Sequence, residues 1–431
     1  MTAVATMERV RLFASLGVHN YRVYWTGGFV SNVGTWMARV AQDWLVLTVL
    51  TNNSATALGT ITALQFLPAL LFAPWAGSVA DRFPKRRVLL VTQTAMLLTG
   101  LVLAWLVLGG TAALWHVYLL ATLQGVAQAF DGPARQSFAP EMVPTKLIPN
   151  AVGLNSTSFN AARLVGPGVA GLVIAAWGIG PALLINALSF GGVIVALLMM
   201  DVSELTPAPV TRSRGAIREG VKYVRQRPEI MLIMFVIFML GTFGMNFQLT
   251  NALMATTTFK VGPEQFGLMG TVMAVGSLSA ALLAARRAYV RLRLIVGSLA
   301  GFALAVTLLA LAPGYWWYVV LLVPTGLLAL TVMTGANASV QLATEPKMRG
   351  RVMALYLAIF QGGTPIGAPL VGWVGDAWGP RWSLAIGAIA TGLAVVVAGV
   401  YYLRARHWAP PWRRLDADDE DRLVEVPEAP R

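Results

Sequence analysis

Five ionisable side chains lie inside long apolar stretches of this sequence or at their edge: Arg39, Asp43, Asp131 and Arg163 within them, and Arg135 at the inner end of one. A charged group in hydrocarbon costs several kcal/mol unless it is paired or hydrated, so each points to a function. Arg39 and Asp43 are four residues apart, as are Asp131 and Arg135, which places each pair on one helix face within reach of an ion pair. Arg163 has no local acid. A carboxylate that exchanges its partner arginine for water between two conformations changes its proton affinity, and these five residues are the candidates for such proton coupling. A permanently paired carboxylate that fixes helix packing is the alternative for both acids. It is the stronger reading for Asp131, which lies close to a loop. The three histidines, His19, His116 and His407, are scattered and make no metal cluster, and the lack of cysteine excludes disulfides, thiolate metal sites and cysteine nucleophiles.

The elements that position these charges are helices in a membrane. With 57% hydrophobic and 12% charged residues over 431 positions, and a mean hydropathy of +0.66, the chain is too apolar for a soluble protein. A bilayer core needs about 20 apolar residues per helix, and windows of that kind recur nearly end to end. They give six spans in 24–200 (Tyr24 to Leu50, Leu58 to Ala80, Val88 to Leu108, Leu114 to Ala134, Asn150 to Trp177, Ala182 to Met200) and six in 230–403 (Ile230 to Phe259, Phe266 to Ala285, Leu294 to Ala312, Trp316 to Ser339, Val352 to Trp378, Trp382 to Leu403). The first apolar stretch is read as a retained helix rather than a cleaved leader.

Positive residues collect on cytoplasmic loops. With the N-terminus inside, 28 of the 32 Lys and Arg fall on cytoplasmic segments, only Lys260 and Arg381 fall outside, and Arg39 and Arg163 lie within spans. The expected layout is a cytoplasmic N-terminus (1–23), a first bundle (24–200), a cytoplasmic middle loop (201–229) with a basic amphipathic segment from Arg218 to Arg227, a second bundle (230–403) and a cytoplasmic tail (404–431). The net charge of +13 then reflects membrane orientation and not nucleic-acid binding.

The two halves echo each other, as a duplicated six-helix unit would. Gly27, Phe29 and Asn32 in span one recur as Gly241, Phe243 and Asn246 in span seven, and Gly59 opens span two as Gly267 opens span eight. Gly166, Gly171, Trp177 and Gly178 of span five recur as Gly367, Gly372, Trp378 and Gly379 of span eleven.

Between spans two and three stand Gly77, Asp81, Arg82, Lys85, Arg86 and Arg87. This resembles the loop signature of the major facilitator superfamily, Gly-x-x-x-Asp-Arg-x-Gly-Arg-Arg, with Pro84 in place of the usual glycine. A small Gly77 permits close helix approach, and Asp81 can face the positive N-terminal end of a helix in the other half. The resemblance implies a latch of Gly77, Asp81, Arg82 and Arg86 against the start of span eleven, near Arg349 and Arg351, that favours the state closed to the cytoplasm. Degraded copies occur between spans eight and nine, where Ala285 and Tyr289 replace glycine and aspartate, and at Gly372, Asp376 and Arg381, facing outside. In span five, Gly166, Pro167 and Gly171 resemble the Gly-Pro signature of the superfamily's proton-driven antiporters, with Ala162 and Ala170 in place of two glycines. Pro167 removes a helix hydrogen bond and the glycines permit a bend and tight contact. Further phrases, among them Trp36 to Trp44, Asp131 to Gln136, Phe159 to Arg163, Arg349 to Met353 and Gly362 to Pro365, resemble the branch with macrolide and enterobactin exporters. The fourth-span arginine of drug antiporters is Ala121 here, so its role does not transfer.

The resemblance implies an all-α integral membrane protein of twelve transmembrane helices in two pseudo-symmetric six-helix bundles, the major facilitator fold. Its substrate cavity would lie near midplane between the halves, with Asn32, Asn155, Asn160, Asn246, Gln248, Asn251 and Gln361 as polar candidates and Phe66, Phe159, Met245 and Phe247 as apolar ones. The expected function is a secondary active transporter in the cell membrane that exports a small amphipathic molecule, drug-, antibiotic- or siderophore-like, by proton antiport and alternating access. A proton symporter or facilitator for uptake is the alternative. No nucleotide-binding loop occurs, so the expected energy source is the proton gradient, without cofactor or metal, and the expected protein is a monomer and not an enzyme.

Overall fold

The computed structural model describes residues 13–206, 216–285 and 292–408. The first twelve residues, 207–215 of the expected middle loop, 286–291 with Tyr289, and the tail beyond Trp408 lie outside the described residues. Every regular element among the described residues is helical. The helices are α1 (His19–Leu45), α2 (Ala55–Arg82), α3 (Lys85–Leu108), α4 (Leu114–Phe138), α5 (Ile148–Trp177), α6 (Ile179–Leu198), α7 (Ala216–Arg225), α8 (Pro228–Met239), α9 (Phe247–Leu253), α10 (Pro263–Ala285), α11 (Leu292–Ala310), α12 (Tyr315–Ala343), α13 (Pro346–Gly362), α14 (Thr364–Trp378) and α15 (Pro380–Trp408). Ten segments among them are long and apolar enough to cross a membrane. Helices α1 and α4 are not among the ten, and they are the helices that carry Arg39, Asp43, Asp131 and Arg135.

Two stretches expected as single spans are each broken. The seventh is α8, a π turn at Leu240–Gly244, then α9 with a second π turn at Met254–Thr258. The eleventh is α13 followed by α14, parted at Gly363 with Pro365 in the first turn of α14. Glycine weakens the helical ladder and proline cannot complete it, so both breaks fall where the sequence supplies those residues.

Within the first half α1 packs on α5 and α6, α2 on α4, and α3 on α4 and α6; within the second α12 packs on α10 and α11, and α15 on α11 and α14. The internal repeat recurs in backbone geometry: α5 and α14 both end on a Trp-Gly step whose glycine takes a positive φ, 87° at Gly178 and 100° at Gly379. Seven exposed tryptophans gather at one face of the molecule. Trp105, Trp115, Trp177, Trp316, Trp317, Trp378 and Trp382, all more than half exposed, stand at helix ends on the face opposite α7, as an aromatic belt at a membrane interface does. Basic side chains hold the α7 face: Lys85 pairs with Glu141 at 2.6 Å, Arg227 with Glu345 at 2.6 Å, and Arg351 with Glu219 of α7.

Candidate functional site

The two acid–arginine pairs with identical spacing have different fates. Asp131 forms an ion pair with Arg135 at 2.8 Å, and its other oxygen accepts hydrogen bonds from Gln93 Nε2 at 2.7 Å and Thr92 Oγ1 at 2.9 Å. A carboxylate held by three donors from α3 and α4 fixes helix packing. Asp43 forms no ion pair with Arg39 among the described residues; it is 4% exposed, and its Oδ2 accepts no hydrogen bond. Gln248 of α9 approaches it from the other half, and Arg39 lies within electrostatic reach. The Arg39 guanidinium instead covers aromatic faces, 4.8 Å from the centre of the Trp36 ring and 5.8 Å from that of Phe66. Arg163 reaches the same indole at 5.6 Å, and Phe159 meets Trp36 edge-on at 5.8 Å. Helix order explains the difference in part. Acid before base at this spacing suits the helix dipole, as in Asp131 and Arg135, whereas Arg39 precedes Asp43.

Several polar cavity candidates are committed to the protein itself. Asn246 donates to the carbonyls of Thr242 and Phe243 at the π turn, and Asn251 accepts from Tyr318 Oη at 2.7 Å; both are buried. Asn32 donates to Ser158 Oγ at 3.3 Å, and Asn155 accepts from Tyr21 Oη at 3.1 Å. Asn160 donates to its own helix at Ser156, and Gln361 is exposed. Sequence reasoning missed the bond from Gln65 to Gln42 at 3.3 Å, which joins α2 to α1 beside Phe66.

The halves meet along α2–α14 and α5–α10, at the end opposite α7. Glycines make the approach possible: a Cβ on Gly171 would stand 2.6 Å from the Pro263 carbonyl oxygen, and one on Gly372 would stand 2.8 Å from the Ala55 carbonyl carbon. Gly166 serves a different contact, since its missing Cβ makes room for Trp36 of the same half. Thr271 Oγ1 of α10 donates to the Leu164 carbonyl at 2.9 Å. Towards α7 the same helix faces open. On α2, Gly59 meets Ala368 of α14, whereas a Cβ on Gly77, five turns on, would meet nothing within 4 Å. On α5 the stripe through Leu164, Pro167 and Gly171 continues to Asn160 and to Ser156, which is exposed.

The latch residues expected from the sequence are apart in this state. Asp81 is exposed and has no hydrogen bond or ion pair with any described residue, and Arg82 is exposed. Arg86 Nε donates to the Leu197 carbonyl at 2.7 Å, a cation at the C-terminal end of α6. Arg349 Nε donates to the Gln341 carbonyl of α12 at 3.0 Å, and Arg351 is held by Glu219. The copy expected to be degraded is the one engaged. Asp376 of α14 accepts from the backbone N–H groups of Ala55 at 2.6 Å and Thr56 at 2.9 Å, and from Ser54 Oγ at 3.1 Å. It thereby caps the N-terminus of α2 from the opposite half. Its companion Arg381 binds the carbonyls of Ala310 and Ala312 at the end of α11.

Solved transporters share this architecture. A POT family transporter superposes with a TM-score of 0.71 at 11% identity, over 90% of this chain and 96% of that one. A D-xylose-proton symporter does so at 0.68 and 16%, over 88% and 96%. The fold is that of these multi-pass membrane proteins, and sequence comparison supplies the family. The sequence model of the transmembrane secretion effector family matches residues 11–425, and the chain belongs to that family. Relatives include macrolide efflux protein A of Streptococcus pyogenes, 24% identical over 88% of this chain and 95% of that protein. The multidrug efflux pump Tap of Mycobacterium bovis is 27% identical over 89% and 91%. The staphyloferrin A transporter of Staphylococcus aureus is 26% identical over 61% of this chain and 66% of that protein, just under two thirds of its length.

Proposed function

We propose that this transporter exports a small amphipathic molecule from the cytoplasm by alternating access, in exchange for protons. In this reading twelve helices cross the cell membrane in two six-helix bundles, 24–200 and 230–403, with α1 and α4 completing the set and α8 with α9, and α13 with α14, each crossing once. The α7 face and both termini are cytoplasmic, and the protein works as a monomer without cofactor or metal. The observation that carries the reading is the asymmetry of the interface between the halves: closed at the Asp376 end and open at the Asp81 end. A substrate then enters from the α7 side, and closure there with opening of the Asp376 contact releases it outside. The relatives that are efflux pumps support the outward direction.

Asp43 is the acid proposed to carry the proton. It is buried, it lies where α1 meets α9 of the other half, and one of its oxygens has no partner, so gain or loss of a proton changes what it holds. In inverted vesicles, proton-driven accumulation of lipophilic dyes, antibiotics or siderophores that a protonophore abolishes is the expected result. Asp43→Asn should abolish the proton dependence while leaving the protein folded. Undiminished proton-driven uptake by this variant would remove Asp43 from the mechanism, and gradient-insensitive equilibration by the unaltered protein would favour a facilitator.

A further inference from the structure

We infer that the Arg39–Trp36–Arg163 cluster is a binding site for the anionic head of an amphipathic aromatic compound, a carboxylate, sulfonate or phosphate. This rests on the exporter reading and names the substrate class of its central site. Two guanidiniums lie against one indole ring, 4.8 and 5.6 Å from its centre, and neither donates a hydrogen bond or forms an ion pair with any described residue. The two guanidiniums carry like charge beside one ring and repel each other. A cation–π contact is a weak attraction, whereas an arginine at membrane depth is costly unless it is paired or hydrated. The aromatic contacts alone therefore do not balance two guanidiniums that also repel each other.

Carboxylates of the protein do not make up the difference. Asp131 is bound by Arg135, Thr92 and Gln93, and Asp376 is bound to α2. Among the described residues Asp43 is the acid within reach of Arg39, and Arg163 has none. Two cations against one acid leave the site positive. Planar guanidiniums present paired N–H donors that fit the oxygens of such an anion. The rings of Phe66 and Phe159 flank the cluster and suit a flat apolar body. Both arginines are half-buried and Phe159 is 50% exposed, on the part of α5 that opens towards α7. A proton on Asp43 and an anion on Arg39 are alternative ways to end the attraction between these two residues, so each ligand alone can release Asp43 from its present setting, as an exchanger requires.

The test uses the full-length protein in phosphatidylcholine nanodiscs and three pyrene probes alike in body: pyrenebutyrate, the neutral alcohol and the trimethylammonium analogue. Fluorescence anisotropy should show pyrenebutyrate binding about tenfold or more tightly than the ammonium probe. R39Q/R163Q should lose that preference, R39Q and R163Q should each lose part of it, and R39K/R163K should keep most of it, with unfolding midpoints read in parallel. A protein that binds the ammonium as well as the carboxylate, that binds none of the three, or whose folded R39Q and R163Q variants both keep the full preference would overturn the inference. Discs doped with phosphatidylglycerol identify the source of the anion: competition assigns the site to a lipid headgroup, and unchanged binding assigns it to a soluble amphiphile. Proton-driven dye export without anion preference in binding would sink this site alone; anion preference without any flux in vesicles would sink the exporter reading alone.

Discussion

Asp81 and Asp376 occupy corresponding places at opposite ends of the molecule. Each stands near the end of a helix that carries a glycine four residues before it, Gly77 and Gly372, and the sequence resemblance assigns Asp81 the same kind of cap across the halves that Asp376 makes. Only Asp376 does so here: it holds three donors at the start of α2, whereas Asp81 faces solvent. The copy that departs further from the family signature makes the contact, and the better copy makes none with the described residues. A match to a sequence signature therefore does not by itself tell which copy makes the contact across the halves.

Glycine should separate the two ends most strongly. Gly372→Val drives its side chain into the Ala55 backbone, and overpacking of this kind costs about 1–3 kcal/mol or more. Its unfolding midpoint should fall and its export should be lost, whereas Gly77→Val should leave the midpoint unchanged because the space around Gly77 is open. Equal loss of stability in the two variants would break the comparison.

The acids come next. Asp376→Ala leaves the Ala55 and Thr56 N–H groups without their carboxylate, a loss of about 0.5–2 kcal/mol as for removal of a helix N-cap, read as a lower unfolding midpoint. Asp81→Ala should change that midpoint by less than about 0.5 kcal/mol, the usual range for a surface substitution. The smallest effect is expected at Glu219→Ala, which removes the partner of Arg351. The acid is 57% exposed, so screening limits the change to about 0.5 kcal/mol or less. A small rise in transport rate is the expected readout, since Arg351 becomes free to serve closure at the Asp81 end.

Most of the helical layout was legible in the sequence because apolar windows of membrane length are hard to mistake. The breaks at Leu240–Gly244 and Gly363 follow from residues visible there, Gly241, Gly244, Gly363 and Pro365, although the windows alone read through them. The site was less legible. Spacing put Arg39 beside Asp43 and Asp131 beside Arg135 with equal force, but Asp131 is fixed by Thr92 and Gln93 from a different helix, and Arg39 is drawn away by Trp36 and Phe66. Partners of this kind are set by tertiary packing, which spacing along one helix does not encode. The same holds for Asp376, whose donors lie some 320 positions away in the chain, and for Asn246 and Asn251, which the sequence marks as polar but whose hydrogen bonds are already taken within the fold.

Alternating access requires the two ends to open in opposition, and the absence of native cysteine makes this directly measurable with single-cysteine variants. Ala368→Cys lies in the closed α2–α14 contact and Ser156→Cys lies on the open part of α5. Labelling by a membrane-impermeant maleimide, applied to right-side-out and to inverted vesicles, should find Ser156→Cys reactive from the cytoplasmic side and Ala368→Cys protected. Adding Asp376→Ala should reverse both, exposing Ala368→Cys to the outside and protecting Ser156→Cys. If both positions become reactive together, or if the loss of Asp376 leaves both unchanged, the two ends are not coupled and the account is wrong.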